Sequence, residues 1–254
     1  MGTGSSPMGK GGGGGAPLTP PSTEDVKRGN ILPAGGVPFA DVMNMTDDEK
    51  ASVVDDALNS GVPLFLEDSG MQRFAYFTGM TEKPTVVSDS QLDSINGTEM
   101  YRTVNDAYNR NIDIGYTSND IAKQISEGDF TMYSDSGGSA HGKGIYFAES
   151  YSDSSWYGNS RQNPVTMRAK VTGKTIRESQ LTNDYNAALR RGDKLATACS
   201  KAPGGSMDKR NLYGLVKGYD VISPDYGNYH VVLNRKGITV SSTIKRTNIG
   251  GTKW

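Results

Sequence analysis

Gly142-Lys143-Gly144-Ile145-Tyr146-Phe147-Ala148 runs directly into Glu149-Ser150-Tyr151-Ser152-Asp153-Ser154-Ser155-Trp156-Tyr157. Two glycines bracket one lysine, a short apolar run carries a tyrosine, and a serine-rich segment presents Ser154 and Tyr157 three residues apart. The pattern predicts a turn, a buried strand and the first turn of a helix, on which residues three apart are neighbours. Gly142 and Gly144 let the backbone approach a ligand that a Cβ would push away. Tyr146 and Tyr157 then offer two aromatic faces to a flat ring, with the Ser154 hydroxyl close by to bond the ring's substituent. The competing expectation is an ordinary core strand with Tyr146 packed inside and an exposed serine-rich loop after it, since tyrosine is common in strands.

The stretch resembles the nicotinamide-binding segment of the ADP-ribosyltransferase superfamily, and in particular its poly(ADP-ribose) polymerase-like branch. That branch carries Gly-x-Gly-Ile-Tyr-Phe-Ala, then a serine eight residues and a second tyrosine eleven residues after the first tyrosine. Tyr146, Ser154 and Tyr157 stand at those spacings. The resemblance implies that Tyr146 and Tyr157 sandwich nicotinamide, that Gly144 lies against it, and that Ser154 binds its carboxamide.

Upstream, Glu99-Met100-Tyr101-Arg102-Thr103-Val104 reads as a short strand with an arginine inside it. A cation in a strand needs a counter-charge or a wet cleft, because burying it unpaired is costly, and a pyrophosphate would serve. The superfamily's first strand carries a Tyr-Arg or similar pair in one branch. The resemblance therefore implies that Arg102 holds the phosphates or ribose of NAD, with Thr103 in place of the usual glycine. Downstream, Tyr219-Asp220-Val221-Ile222 and Asn228 to Arg235 read as a strand pair around a turn at 223–227. The family's third element, a glutamate that stabilises the charge developing on the ribose, aligns with Asn228. An asparagine can hydrogen-bond there but brings no negative charge; Asp225 is the nearest carboxylate in that loop and Glu149 directly follows the Tyr146 strand, and either could substitute in space.

Around these motifs the chain divides by composition. Residues 1–38 are Gly-, Pro- and Ser-rich, with five consecutive glycines from Gly11 to Gly15, a composition that cannot offset the entropy of ordering. A flexible tail is expected there. Residues 39–95 read as a helical subdomain. Thr46 with Glu49 forms a capping box ahead of Val53, Val54, Ala57 and Leu58, with Gly61 as the stop. A second helix starts near Asp68 or Ser69, carries Met71, Phe74, Ala75 and Phe77, and ends around Gly79. The resemblance implies that residues 96–248 form the ADP-ribosyltransferase-like domain, and 249–254 are expected to be a frayed end. Within the domain, helices are expected over 118–128, 183–195 and 208–217, and a half-buried strand over 165–171. The fold class expected is α+β, an ADP-ribosyltransferase-like split β-sheet core with flanking N-terminal helices.

Charge excludes little, since 27 basic residues stand against 28 acidic ones, which leaves no electrostatic case for nucleic acid or an anionic membrane. With one cysteine and two histidines no internal disulfide and no metal cluster is expected. No signal-peptide core or membrane-length apolar run is present in the sequence, and a host cytoplasm or a virion is the expected location. The function expected is an NAD-dependent mono-ADP-ribosyltransferase, with NAD as substrate, no metal, and a macromolecular acceptor that the sequence does not identify. A looser similarity to bacteriophage-encoded ADP-ribosyltransferase-like domains implies virion proteins as partners of the N-terminal tail. Two alternatives stay open: a catalytically inactive virion or interaction protein of this fold, and an NAD glycohydrolase.

Overall fold

Thr46 starts the first long helix through a reciprocal capping box. Its Oγ1 accepts from the Glu49 amide at 3.3 Å while Glu49 Oε2 accepts from the Thr46 amide at 2.8 Å. The computed structural model describes residues 32–60, 69–80, 84–105, 141–158 and 164–246. In chain order its elements are α1 (Phe39–Met43), α2 (Asp47–Asn59), α3 (Gly70–Phe77), β1 (Thr85–Val87), α4 (Asp89–Asp93), β2 (Thr98–Asn105), β3 (Ile145–Ala148), α5 (Tyr151–Gly158), β4 (Pro164–Val171), β5 (Thr175–Arg177), α6 (Glu178–Arg190), α7 (Lys194–Ser200), α8 (Ser206–Val216), β6 (Val221–Ser223), β7 (Tyr229–Val232) and β8 (Ile238–Arg246). This is a mixed α+β fold around one eight-stranded mixed sheet.

The local expectations translate into contacts. Val53, Val54 and Ala57 are buried and Leu58 packs against them; the expected stop, Gly61, lies outside the described residues. Ser69 caps α3 by accepting from the Gln72 amide at 3.2 Å, and Gly79 leaves that helix at φ +67. The single helix expected over 183–195 is two helices. Gly192 adopts φ +71, a conformation other residues resist, and Asp193 Oδ1 accepts from the Ala196 amide at 2.9 Å to start α7 afresh. The helix expected over 118–128 lies outside the described residues.

Residues 32–38, assigned by composition to the tail, sit against α3: the Val37 amide donates to Phe77 O at 3.2 Å, and Val37 joins the apolar core. Residues 39–95 likewise do not stand apart from the sheet. β1 pairs in parallel with β8, and α1 to α3 share one core with α6, α7 and α8. Apolar faces that are each too small to be buried alone are covered by packing together.

The strand order is β1-β8-β4-β2-β3-β7-β6-β5. β2 pairs with β4 along its whole length and β3 with β7 along all of β3, whereas β2 and β3 share the single register pair Tyr101 opposite Ala148. The sheet is thus two four-stranded ladders joined at one point. Alternation along the strands sends successive side chains to opposite faces. Tyr146, Val231, Leu233 and Ile222 face the helical core. Met100, Ile145, Phe147, Met167 and Val232 form a second buried cluster on the other face.

Candidate functional site

The seam between the two ladders is where the separate sequence motifs meet. Beyond the Tyr101–Ala148 pair the connection passes to a side chain, and Arg102 Nη1 donates to the Tyr146 carbonyl at 2.9 Å. α5 packs over β2, β3 and β4 beside this point. Its Ser154, 2% exposed, places Oγ 2.8 Å from Thr103 Oγ1, which in turn lies 2.7 Å from Thr166 Oγ1 on the paired strand β4. A chain of three buried hydroxyls therefore fixes the helix to the sheet. Tyr157 belongs to the last turn of α5, and its side chain lies outside the described residues.

The Gly-Lys-Gly turn is held from the helical side. Gly142 has φ +82, and a Cβ there would stand 2.7 Å from Asn211 Nδ2 and 2.8 Å from the Met207 carbonyl carbon. At Gly144 a Cβ would stand 2.3 Å from Val231 Cγ1. Both glycines are required by close packing within the protein, whatever else approaches them. Asn211 Nδ2 donates to His141 O and Lys143 O, each at 2.9 Å, and Asp208 Oδ1 accepts from the Lys143 amide at 2.7 Å. Arg210, only 4% exposed, donates to His141 O at 2.9 Å and to Glu178 Oε1 at 2.8 Å, so its buried charge is paired. His141 Nδ1 lies 2.8 Å from the other oxygen of Glu178.

Tyr146 is part of the same clamp. Its hydroxyl donates to Gly142 O at 2.6 Å and accepts from the His141 amide at 3.1 Å. Burial pushes its ionisation up to about 12, with the negative charges of Asp208 and Glu178 adding to the effect and the His141 amide opposing it. Its ring packs against the helical core, so much of this side chain serves structure, as the competing sequence expectation has it.

Asn228, exposed, sits at the end of β7 farther from the turn. Its carbonyl accepts from the Glu149 amide at 3.0 Å, and its Nδ2 donates to Asp153 Oδ2 at 3.0 Å. Asp225 is engaged elsewhere: its two carboxylate oxygens accept from Ser179 N at 2.7 Å and Ser179 Oγ at 2.6 Å, capping α6. The carboxylates beside Asn228 are therefore Asp153 and Glu149. By strand alternation Arg102 shares a face with Met100, and His230 shares it with Phe147, directly opposite on β3. Thr103, Tyr146 and Ser154 lie on the helical face.

Of the residues expected to form the site, Arg102, Thr103, Tyr146 and Ser154 meet at this seam on its two faces, Asn228 lies at the far end of β7, and the Tyr157 side chain is outside the described residues. Sequence reasoning missed Asp153, His230, Glu178, Arg210 and Asn211. For the last two the available signal was an adjacent Arg-Asn pair directly ahead of the apolar Leu212 and Tyr213, where a surface helix would alternate. Among the described residues no group of three or more His, Cys, Asp or Glu side chains is placed to hold a metal, and no helix is long and apolar enough to cross a membrane. No protein-family model, curated protein or solved structure matches the chain.

Proposed function

We propose that this chain is an NAD-dependent mono-ADP-ribosyltransferase of the ADP-ribosyltransferase superfamily, built on a split sheet. The observation that carries the proposal is the seam itself. Two ladders touch at one register pair, and the Tyr-Arg strand and the Gly-Lys-Gly-Ile-Tyr segment, forty residues apart in the chain, are joined there by Arg102 Nη1 and the Tyr146 carbonyl. An arginine at the parting of two strands is suited to a pyrophosphate, which it can engage by two parallel hydrogen bonds. Thr103 and Ser154 supply hydroxyls for the carboxamide of nicotinamide, and Tyr146 and Tyr157 the aromatic contacts. Holding the dinucleotide bent across the seam would favour departure of nicotinamide and expose the anomeric carbon to an acceptor.

Incubation with NAD labelled separately in its nicotinamide and adenylate parts tests this. Release of nicotinamide with adenylate label fixed to macromolecules, lost in Arg102→Ala, is the expected outcome. Release without fixed label would make the chain an NAD glycohydrolase.

A second reading is favoured by one feature, the amide of Asn228 where the family has a glutamate. On that reading the fold is retained in a non-catalytic binding or virion protein. It predicts neither NAD turnover nor a dependence of any binding on Arg102.

A further inference from the structure

Arg210, Glu178 and His141 form a hydrogen-bonded row beside Tyr146. Arg210, its side chain 5% exposed, donates to Glu178 Oε1 at 2.8 Å, and Glu178 Oε2 lies 2.8 Å from His141 Nδ1. An ion-paired carboxylate only accepts, so Nδ1 carries the ring proton and Nε2 presents a lone pair. Nε2 has no hydrogen-bond partner among the described residues, and the His141 side chain is 33% exposed. The fold puts this row on the face that carries Tyr146 and Ser154. Arg177, which ends β5, is opposite Ser223 at the end of β6, and the next residue, Glu178, starts α6 in the helical layer. Ser179 is bound by Asp225, in the loop that leads into Asn228 and β7. Glu178 therefore stands at the end of the sheet where Asn228 is found, and the His141 ring lies 6.4 Å from the Tyr146 ring, centre to centre.

We infer that His141, oriented by Glu178, takes the proton of the acceptor that attacks the ribose. The inference rests on the proposed NAD chemistry. As the bond between C1′ and the nicotinamide nitrogen breaks, its electron pair leaves with neutral nicotinamide and positive charge develops on the ribose. The acceptor's oxygen or nitrogen bonds to C1′ through a lone pair, and the proton it carries passes to His141 Nε2. The Glu178 carboxylate balances the charge this puts on the imidazole, and the proton then leaves to solvent from the exposed ring. Other groups at this end of the sheet already have partners. Asn228 is an amide and takes no proton, Asp225 is bonded through both oxygens to Ser179, Asp153 accepts from Asn228, Glu149 faces His230, and the Tyr146 hydroxyl donates to Gly142 O. His141 is the residue that touches the acceptor, and Glu178 is a positioning residue.

Full-length protein incubated with NAD and either methanol or sodium azide separates this role from a structural one. Methanol must lose a proton when it bonds to C1′, whereas azide is already an anion and needs no base. In His141→Ala, formation of the methyl ADP-riboside should fall about 100-fold, while the azide adduct forms at the wild-type rate. His141→Gln should behave alike, because its amide can still bond to Glu178 but takes no proton. Should His141→Ala fail to fold, His141→Gln carries the same comparison. An undiminished methanol product in the variants, equal losses with methanol and azide, or no azide adduct at all overturns the role of His141 and leaves the proposed function standing. A wild-type protein that releases no nicotinamide from NAD overturns the proposed function and this inference with it.

Discussion

Thr103 Oγ1 lies 2.8 Å from Ser154 Oγ, and this one hydrogen bond ties the arginine-bearing strand β2 to the helix α5 that follows the glycine turn. Replacing Ser154 by alanine would remove a buried partner from Thr103 while leaving the bond to Thr166. Ser154→Ala is expected to lower stability by about 1–2 kcal/mol, seen as a lower urea midpoint at unchanged slope. If Ser154 also receives nicotinamide, the variant should bind nicotinamide more weakly than wild type at urea-free conditions where both are fully folded.

The glycine turn should be far less tolerant than another positive-φ glycine that has open space around it. Gly144→Ala would drive a methyl to 2.3 Å from Val231 Cγ1, whereas at Gly192, φ +71, an added Cβ meets nothing within 4 Å. Thermal unfolding should show a loss of roughly 3 kcal/mol or more for Gly144→Ala, from overpacking added to backbone strain. Gly192→Ala should cost only about 1 kcal/mol of backbone strain.

Alkaline stability should carry the signature of Tyr146. Its folded-state ionisation lies at about 12 against an ordinary value of 10.0, because burial disfavours the phenolate. The unfolded chain therefore loses this proton first, and the stabilisation, complete below pH 10, is lost as pH rises from 10 towards 12. About 2 kcal/mol should disappear over that window. Tyr146→Phe should show a correspondingly flatter decline in chemical denaturation at pH 10 to 12. Tyr185 and Tyr213, also raised to about 12 mainly by burial, contribute equally to both proteins.

Acid should act through Glu99 on β2. Arg168 on the neighbouring strand lies 2.7 Å from its carboxylate and, with Tyr101, holds its ionisation at about 2. A depressed carboxylate contributes stability that is complete above the ordinary value near 4.5 and is lost as pH falls toward 2. Arg168→Gln should therefore lower the melting temperature at pH 6 and reduce its further fall between pH 4.5 and 2. An unchanged acid profile would show that the pair is screened by solvent.

Much of the local structure was legible because short-range chemistry dictates it. Thr46 and Glu49 satisfy each other's amides within four residues, and the alternation of Val165 to Val171 suits only a half-buried strand. The three-residue strands β1 and β5 were not legible, since each exists only through a parallel partner, β8 or β6, far along the chain. The break at Gly192 was readable in principle, but the apolar spacing runs straight across it.

For the candidate site the division is similar. The sequence by itself determined the motifs and their local spacing: a Tyr-Arg strand, a glycine-bracketed turn, a strand tyrosine, a serine eight residues on, and an asparagine where the resemblance expects a carboxylate. Tertiary structure alone decided the rest. Register at a single pair, Tyr101 opposite Ala148, puts Arg102 on the face away from the helices and Thr103 on the face of Ser154. Packing turns the Tyr146 hydroxyl inward to Gly142. The β3–β7 ladder sets His230, not Asn228, beside Phe147 with its Nδ1 buried. The physical reason is that a strand fixes only the alternation of its side chains, while which neighbours they meet depends on pairing between segments that share no local signal.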